Sequence, residues 1–158
     1  MKQVVIVGIG NTLLGDEGVG VHVLNKLRSA RLPKGVELVE GGVGGLALLD
    51  NVKGFDWAIF IDSLAGDTPG RIHRLTGNDI DTKVKTSLHP TSAHDVGLPE
   101  MIKIGKSVYP DEMPKKIIIY GIEITELKMY SAELSREIRE TVDKVAELIL
   151  QDLRIIRK

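Results

Sequence analysis

Asp16 and Glu17 stand side by side, Asp62 follows five apolar residues, and His94 lies in a polar stretch. These are the side chains of the chain best suited to chemistry. Two or three carboxylates and an imidazole from separate segments make an oxygen and nitrogen donor set, which suits a borderline divalent metal such as nickel or zinc. Each residue also has a plainer reading. Asp16 could cap a helix, Glu17 could be only a dipole partner in a first helical turn, and His94 could be an ordinary loop residue. Asp62 resists that treatment, because an acid placed directly behind Trp57-Ala58-Ile59-Phe60-Ile61 is costly to bury without a partner. His89 could join His94 as a ligand, whereas His22 on a helix and His73 on an edge strand read as structural. Ser63 could act as a nucleophile only if a histidine reached it.

The elements that must position these groups alternate between strand and helix. Val4–Val7 reads as a buried strand, Gly18–Arg28 as a helix, Val36–Val39 as a second strand, and Leu46–Val52 as a short helix. Trp57–Ile61 is a third strand, ending at Asp62. Pro69-Gly70 turns the chain into an edge strand over Arg71–Leu75, and Lys116–Ile124 is a further central strand. Pro99 is tolerated only in a first helical turn, so a helix starts near Val96 and leaves His94 just before it. In the last helix Leu134, Ile138, Val142, Val145, Ile149 and Leu153 form one apolar stripe, with Ser131 as the expected N-cap. Gly77–Ser92, poor in apolar residues, reads as a long surface loop.

This order predicts an α/β fold: a three-layer αβα sandwich on a mostly parallel twisted sheet of about five strands, helices on both faces, with an antiparallel strand allowed at one edge. Residues 1–158 read as one domain. Ligands of such sheets bind beyond the carboxyl ends of the strands. There Asp16 and Glu17 follow strand one, the glycines 41, 42, 44 and 45 follow strand two, and Asp62 follows strand three. The glycine cluster is read as a backbone surface that a substrate peptide, over Gly41, Gly42 and Gly44, approaches closely.

Gly8-Ile9-Gly10 begins like a dinucleotide fingerprint, but Leu13 occupies the third glycine's place. A pyrophosphate at the following helix start would meet Asp16 and Glu17 as like charges. A net charge of −1 gives no electrostatic case for nucleic acid or an anionic membrane. Cysteine is absent, which excludes disulfides, thiolate metal sites and a cysteine nucleophile. No apolar run is long enough for a membrane span and the start has no signal-peptide layout, so a cytoplasmic location is expected. Neither a His-Glu-x-x-His helix, a Gly-x-Ser-x-Gly elbow nor a Walker loop occurs.

The run from Gly8 to Gly20, with Asn11, Leu14, Asp16 and Glu17 inside it, resembles the opening of the hydrogenase maturation proteases. The resemblance continues through Gly41-Gly42, Asp62 and Ser92-Ala93-His94-Asp95-Val96-Gly97-Leu98. It implies an endopeptidase, often classed as aspartic-type, that removes the C-terminal extension of a nickel-iron hydrogenase large-subunit precursor after nickel insertion. It also implies that Glu17, Asp62 and His94 form the metal-recognition site and carry the catalytic assignment, with Asp16 a further candidate for the attacking chemistry. The nickel is then the substrate's own, with zinc or cadmium able to replace it in crystals, and the protein is expected to be a monomer. One departure stands out: the family commonly has Asp-Gly-Gly-Thr where this chain has Glu40-Gly41-Gly42-Val43. The alternatives from other classes are a non-enzymatic nickel-binding chaperone on the same three ligands and a small nucleotide-binding regulator.

Overall fold

The computed structural model describes residues 2–77, 79–80, 97–125 and 130–158. In chain order the elements are β1 (Val4–Gly8), a 3-10 turn (Gly15–Gly18), α1 (Val19–Arg28), β2 (Val36–Glu40), α2 (Leu48–Val52), β3 (Trp57–Ala65), β4 (Ile72–Thr76), α3 (Leu98–Val108), β5 (Lys116–Ile124) and α4 (Arg136–Ile156). The strands lie in the order β2-β1-β3-β5-β4. All neighbours are parallel except β4, which runs antiparallel to β5 at the edge. The expected α/β architecture, edge strand included, is the one observed.

Each face of the sheet has its own core. Ile6, Ile59, Ile118 and Tyr120 point toward α1 and α4, meeting Val23, Leu27, Ile138 and Ile149. Val5, Val7, Phe60 and Ile119 point the other way, against Leu48 of α2 and Met101 and Ile102 of α3. This alternation of neighbours along one strand is what a sheet covered on both sides requires, and it is why these strands read as unbroken apolar runs. α1 lies very close to the sheet: a Cβ on Gly20 would stand 2.4 Å from the carbonyl oxygens of both Ile9 and Ile61.

Three local expectations are corrected. β3 does not stop before Asp62. It runs to Ala65, because β5 is equally long and pairs with it as far as Ile124, with Asp62 opposite Gly121. β1 is shorter and its pairing ends at Gly8 opposite Ile61, so Asp62 is the first residue of β3 without β1 beside it. Second, the last helix begins at Arg136 with Ser135, not Ser131, at its N-cap position; Ser131 instead pairs with Leu14 in an isolated bridge. Third, Asp16 does not cap α1. It lies inside the 3-10 turn, and the residue before α1 is Gly18. The expected loop over Gly77–Ser92 falls mostly outside the described residues, although Ile80 within it is buried in the α2–α3 core.

Candidate active site

The strand order reverses between β1 and β3. β2 lies on one side of β1, and the chain then returns to place β3 on the other. At such a switch point the loops leaving neighbouring strands part in opposite directions and open a crevice at the carboxyl edge. The turn after β1 carries Glu17 to this crevice, and β3 carries Asp62. Gly10 shapes the turn: its φ is +142°, and a Cβ there would stand 2.1 Å from the carbonyl oxygen of Glu17. Only glycine permits both that backbone and that approach.

Glu17 and Asp62 are both buried, at 6% and 3% exposure. Burial pushes the Asp62 carboxyl well above the usual carboxylate range. The backbone N–H of Ser63 donates to Asp62 Oδ1 at 2.8 Å and opposes this shift, while the negative charge of Glu17 adds to it. The two carboxylates therefore feel each other in a poorly solvated place. A cation brought into such a place would offset both charges. Strand alternation puts Asp62 on the face of Phe60 and Ser63 on the face of Ile61, so these adjacent residues serve opposite layers.

Asp16 is aimed elsewhere. It is also buried, and its Oδ1 accepts the backbone N–H of Ser135 at 2.7 Å, 119 residues along the chain. His94 and His89 lie outside the described residues. Among the described residues no three histidine, aspartate or glutamate side chains gather as a metal-binding set. Glu17 and Asp62 are two oxygen donors of a kind that suits a divalent cation.

The glycine segment divides in function. Gly41 is a packing residue, since a Cβ there would press on the side chains of Leu48 and Val7 at 2.7 and 2.8 Å. Gly42 and Gly44 have φ of +57° and +88°, and Gly42 has open space where a side chain would be. Gly42 helps line a groove of about 400 Å³ with Asn11, Thr12, Asn25, Glu40 and Val43. The Glu40 carboxylate is paired with Arg28 at 3.1 Å, and Val43 is 84% exposed. The departure at these two positions thus sits on the groove wall.

Sequence reading missed one cluster at the same edge of the sheet. Glu123, near the end of β5, is buried; its Oε1 lies 2.7 Å from His73 Nε2 and its Oε2 accepts the Thr68 N–H at 2.9 Å. The bond to His73 is the main reason the Glu123 carboxyl is held below its usual range. The available signal was an acid inside the apolar run Ile117–Ile124, of the same kind as Asp62.

The family profile described as hydrogenase maturation protease matches residues 21–152. The chain belongs to the hydrogenase maturation protease family. The protease is 30% identical over 160 residues to a Methanocaldococcus jannaschii protein provisionally assigned to the same activity, covering 97% of each chain. It is 26% identical over 155 residues to the hydrogenase 2 maturation protease of Escherichia coli K12, covering 96% of this chain and 91% of that one. Its fold superimposes on the solved hydrogenase maturating endopeptidase HybD of E. coli with a TM-score of 0.81 at 26% identity, covering 96% and 92%. The protease is accordingly an enzyme, a peptidase of hydrogenase maturation. No helix among its described residues is long and apolar enough to cross a membrane.

Proposed function

We propose that the protease removes the C-terminal extension of a nickel-iron hydrogenase large-subunit precursor once nickel is in place, recognising that metal through Glu17, Asp62 and His94. One observation carries the reading: two buried carboxylates, Glu17 and Asp62, press on each other at the β1–β3 switch point. A cation brought by the substrate offsets both charges, so a metal-loaded precursor gains there what an empty one does not. The placement of α3 supports the third ligand. α3 covers the face to which Asp62 belongs, and His94 precedes α3 in sequence.

The nickel is substrate rather than resident cofactor, and its chemical contribution is to fix and polarise the segment to be cut. The remaining work falls to the chain. The groove beside Gly42, with open space where a side chain would stand, gives a substrate peptide room to approach, with Gly44 on the same loop. Both aspartates considered as the base accept a backbone N–H on Oδ1, Asp16 from Ser135 and Asp62 from Ser63. Asp62, at the switch point with Glu17, is the one this reading assigns to proton transfer, in line with an aspartic-type peptidase. Glu40 and Val43 on the groove wall then belong to the choice of partner hydrogenase. The protease works in this reading as a cytoplasmic monomer, with no nucleic acid or membrane partner. Family membership weighs against the non-enzymatic chaperone and the nucleotide regulator.

The test is incubation with nickel-loaded and nickel-free precursor, followed by intact-mass measurement of the large subunit. Shortening of the nickel-loaded form alone is expected. Asp62→Asn, Glu17→Gln and His94→Ala should each lower the cleavage rate by about a hundredfold or more. Normal cleavage by these variants would show that the site lies elsewhere. Nickel uptake with no change of mass would favour the chaperone.

A further inference from the structure

Asp16 is the second carboxylate of the Asp16-Glu17 pair, and nothing in the proposed chemistry uses it. Its surroundings give it a different task. Two links, a backbone bridge and a side-chain bond, join the turn that carries Glu17 to the segment leading into α4. In the bridge Leu14 pairs with Ser131, and the Gly15 N–H donates to the Ser131 carbonyl at 2.6 Å. The Ser135 N–H donates to Asp16 Oδ1 at 2.7 Å. Ser135 stands at the N-cap of a 21-residue helix, and its own side chain makes no capping bond. An acid beside the positive end of that helix, accepting an N–H from it, is favoured by charge as well as geometry. Asp16 thus caps α4 from across the fold.

The latch bears on Glu17 from one side and Gly10 bears on it from the other. The Glu17 carbonyl lies against Gly10, where a Cβ would stand 2.1 Å away. Glu17 is therefore held between the strand it follows and the start of α4. We propose that Asp16 is a positioning residue: through its bond to the Ser135 N–H it fixes the turn so that the Glu17 carboxylate meets the substrate's metal beside Asp62. The proposal rests on the reading of Glu17 as a metal-recognition ligand. It assigns no base or ligand role to Asp16.

The bond can be cut from either end. Asp16→Ala removes the acceptor. Ser135→Pro removes the donor, and the Ser135 φ of −62° already suits proline. Asp16→Asn keeps an acceptor oxygen and loses only the charge. Each variant is assayed with nickel-loaded precursor, well below its melting temperature. Asp16→Ala and Ser135→Pro should raise KM about tenfold with kcat nearly unchanged, since a misaimed Glu17 weakens docking on the metal. Asp16→Asn should recover most of that loss, and the Asp16→Ala/Ser135→Pro double variant should be no worse than the poorer single. A mere loss of folded protein would lower apparent kcat at constant KM, and that pattern would overturn the proposal. So would a folded Asp16→Asn as impaired as Asp16→Ala, or an unimpaired Ser135→Pro. Glu17→Gln is the separate control: if it cleaves normally, the metal-recognition reading fails whatever the latch variants do.

Discussion

Asp62 is buried at the expense of stability. Its folded pKa is raised, first by desolvation and then by Glu17, so the folded chain holds a proton that the unfolded chain has already released. Between the ordinary aspartate value and the raised one, stability therefore falls as pH rises. Asp62→Asn removes that dependence. In the absence of nickel the variant should melt higher than the parent chain, with a gain that grows from mildly acidic to alkaline pH, while losing cleavage. Thermal unfolding followed at several pH values checks this, and an equal or lower melting temperature at alkaline pH contradicts it. The same burial made Asp62 legible in the sequence, because an acid behind five apolar residues has few structural explanations. Asp16 was not legible in this way. Its partner, the backbone of Ser135, has no side-chain signature, and a helix-start acid looks alike whether it caps its own helix or a distant one.

At the scale of elements, α1 shows how little clearance the site allows. Alanine is favoured over glycine inside a helix by about 1 kcal/mol. At Gly20, however, the added Cβ would meet two backbone carbonyl oxygens at 2.4 Å, and backbone cannot turn aside as a side chain can. Overpacking of this kind costs about 1–3 kcal/mol, so Gly20→Ala should be a net loss. It should also lift α1, and the turn before it, away from β1 and β3. Denaturant unfolding gives the stability, and precursor cleavage reports the displaced turn. The long elements were read correctly because their patterns are long. The stripe Ile138, Val142, Val145, Ile149 and Leu153 is buried as its spacing requires. Their ends were misread where pairing partners decide them. β3 continues past Asp62 because β5 accompanies it, and α4 starts late because Ser131 is already paired with Leu14.

For the whole molecule, topology does the assembling. The β2-β1-β3-β5-β4 order gathers the turn after β1, the glycine segment after β2 and Asp62 of β3 at one edge. The alternation of strands and helices was enough to anticipate this convergence. The Glu123 cluster at the same edge ties β5 to β4 and to the Thr68 backbone, and it should be visible in global acid unfolding. A carboxyl with a lowered folded pKa contributes stability that is fully present above its unfolded value, about 4.3, and is lost as pH falls through the folded one. The stability difference between the parent chain and Glu123→Gln should therefore shrink as pH drops below about 4.3. A constant difference across that range would show that the carboxylate charge contributes nothing.

The bond between Asp16 and Ser135 also sets an order of events. It joins residues 119 positions apart, so loop closure on that scale must precede it. The Gly8–Gly20 motif is made well before α4, yet its turn gains this bond only once the segment entering α4 has come into place. A chain whose synthesis has not reached Ser135 carries the Gly8–Gly20 motif without this bond. A helix made later thus completes a turn made earlier.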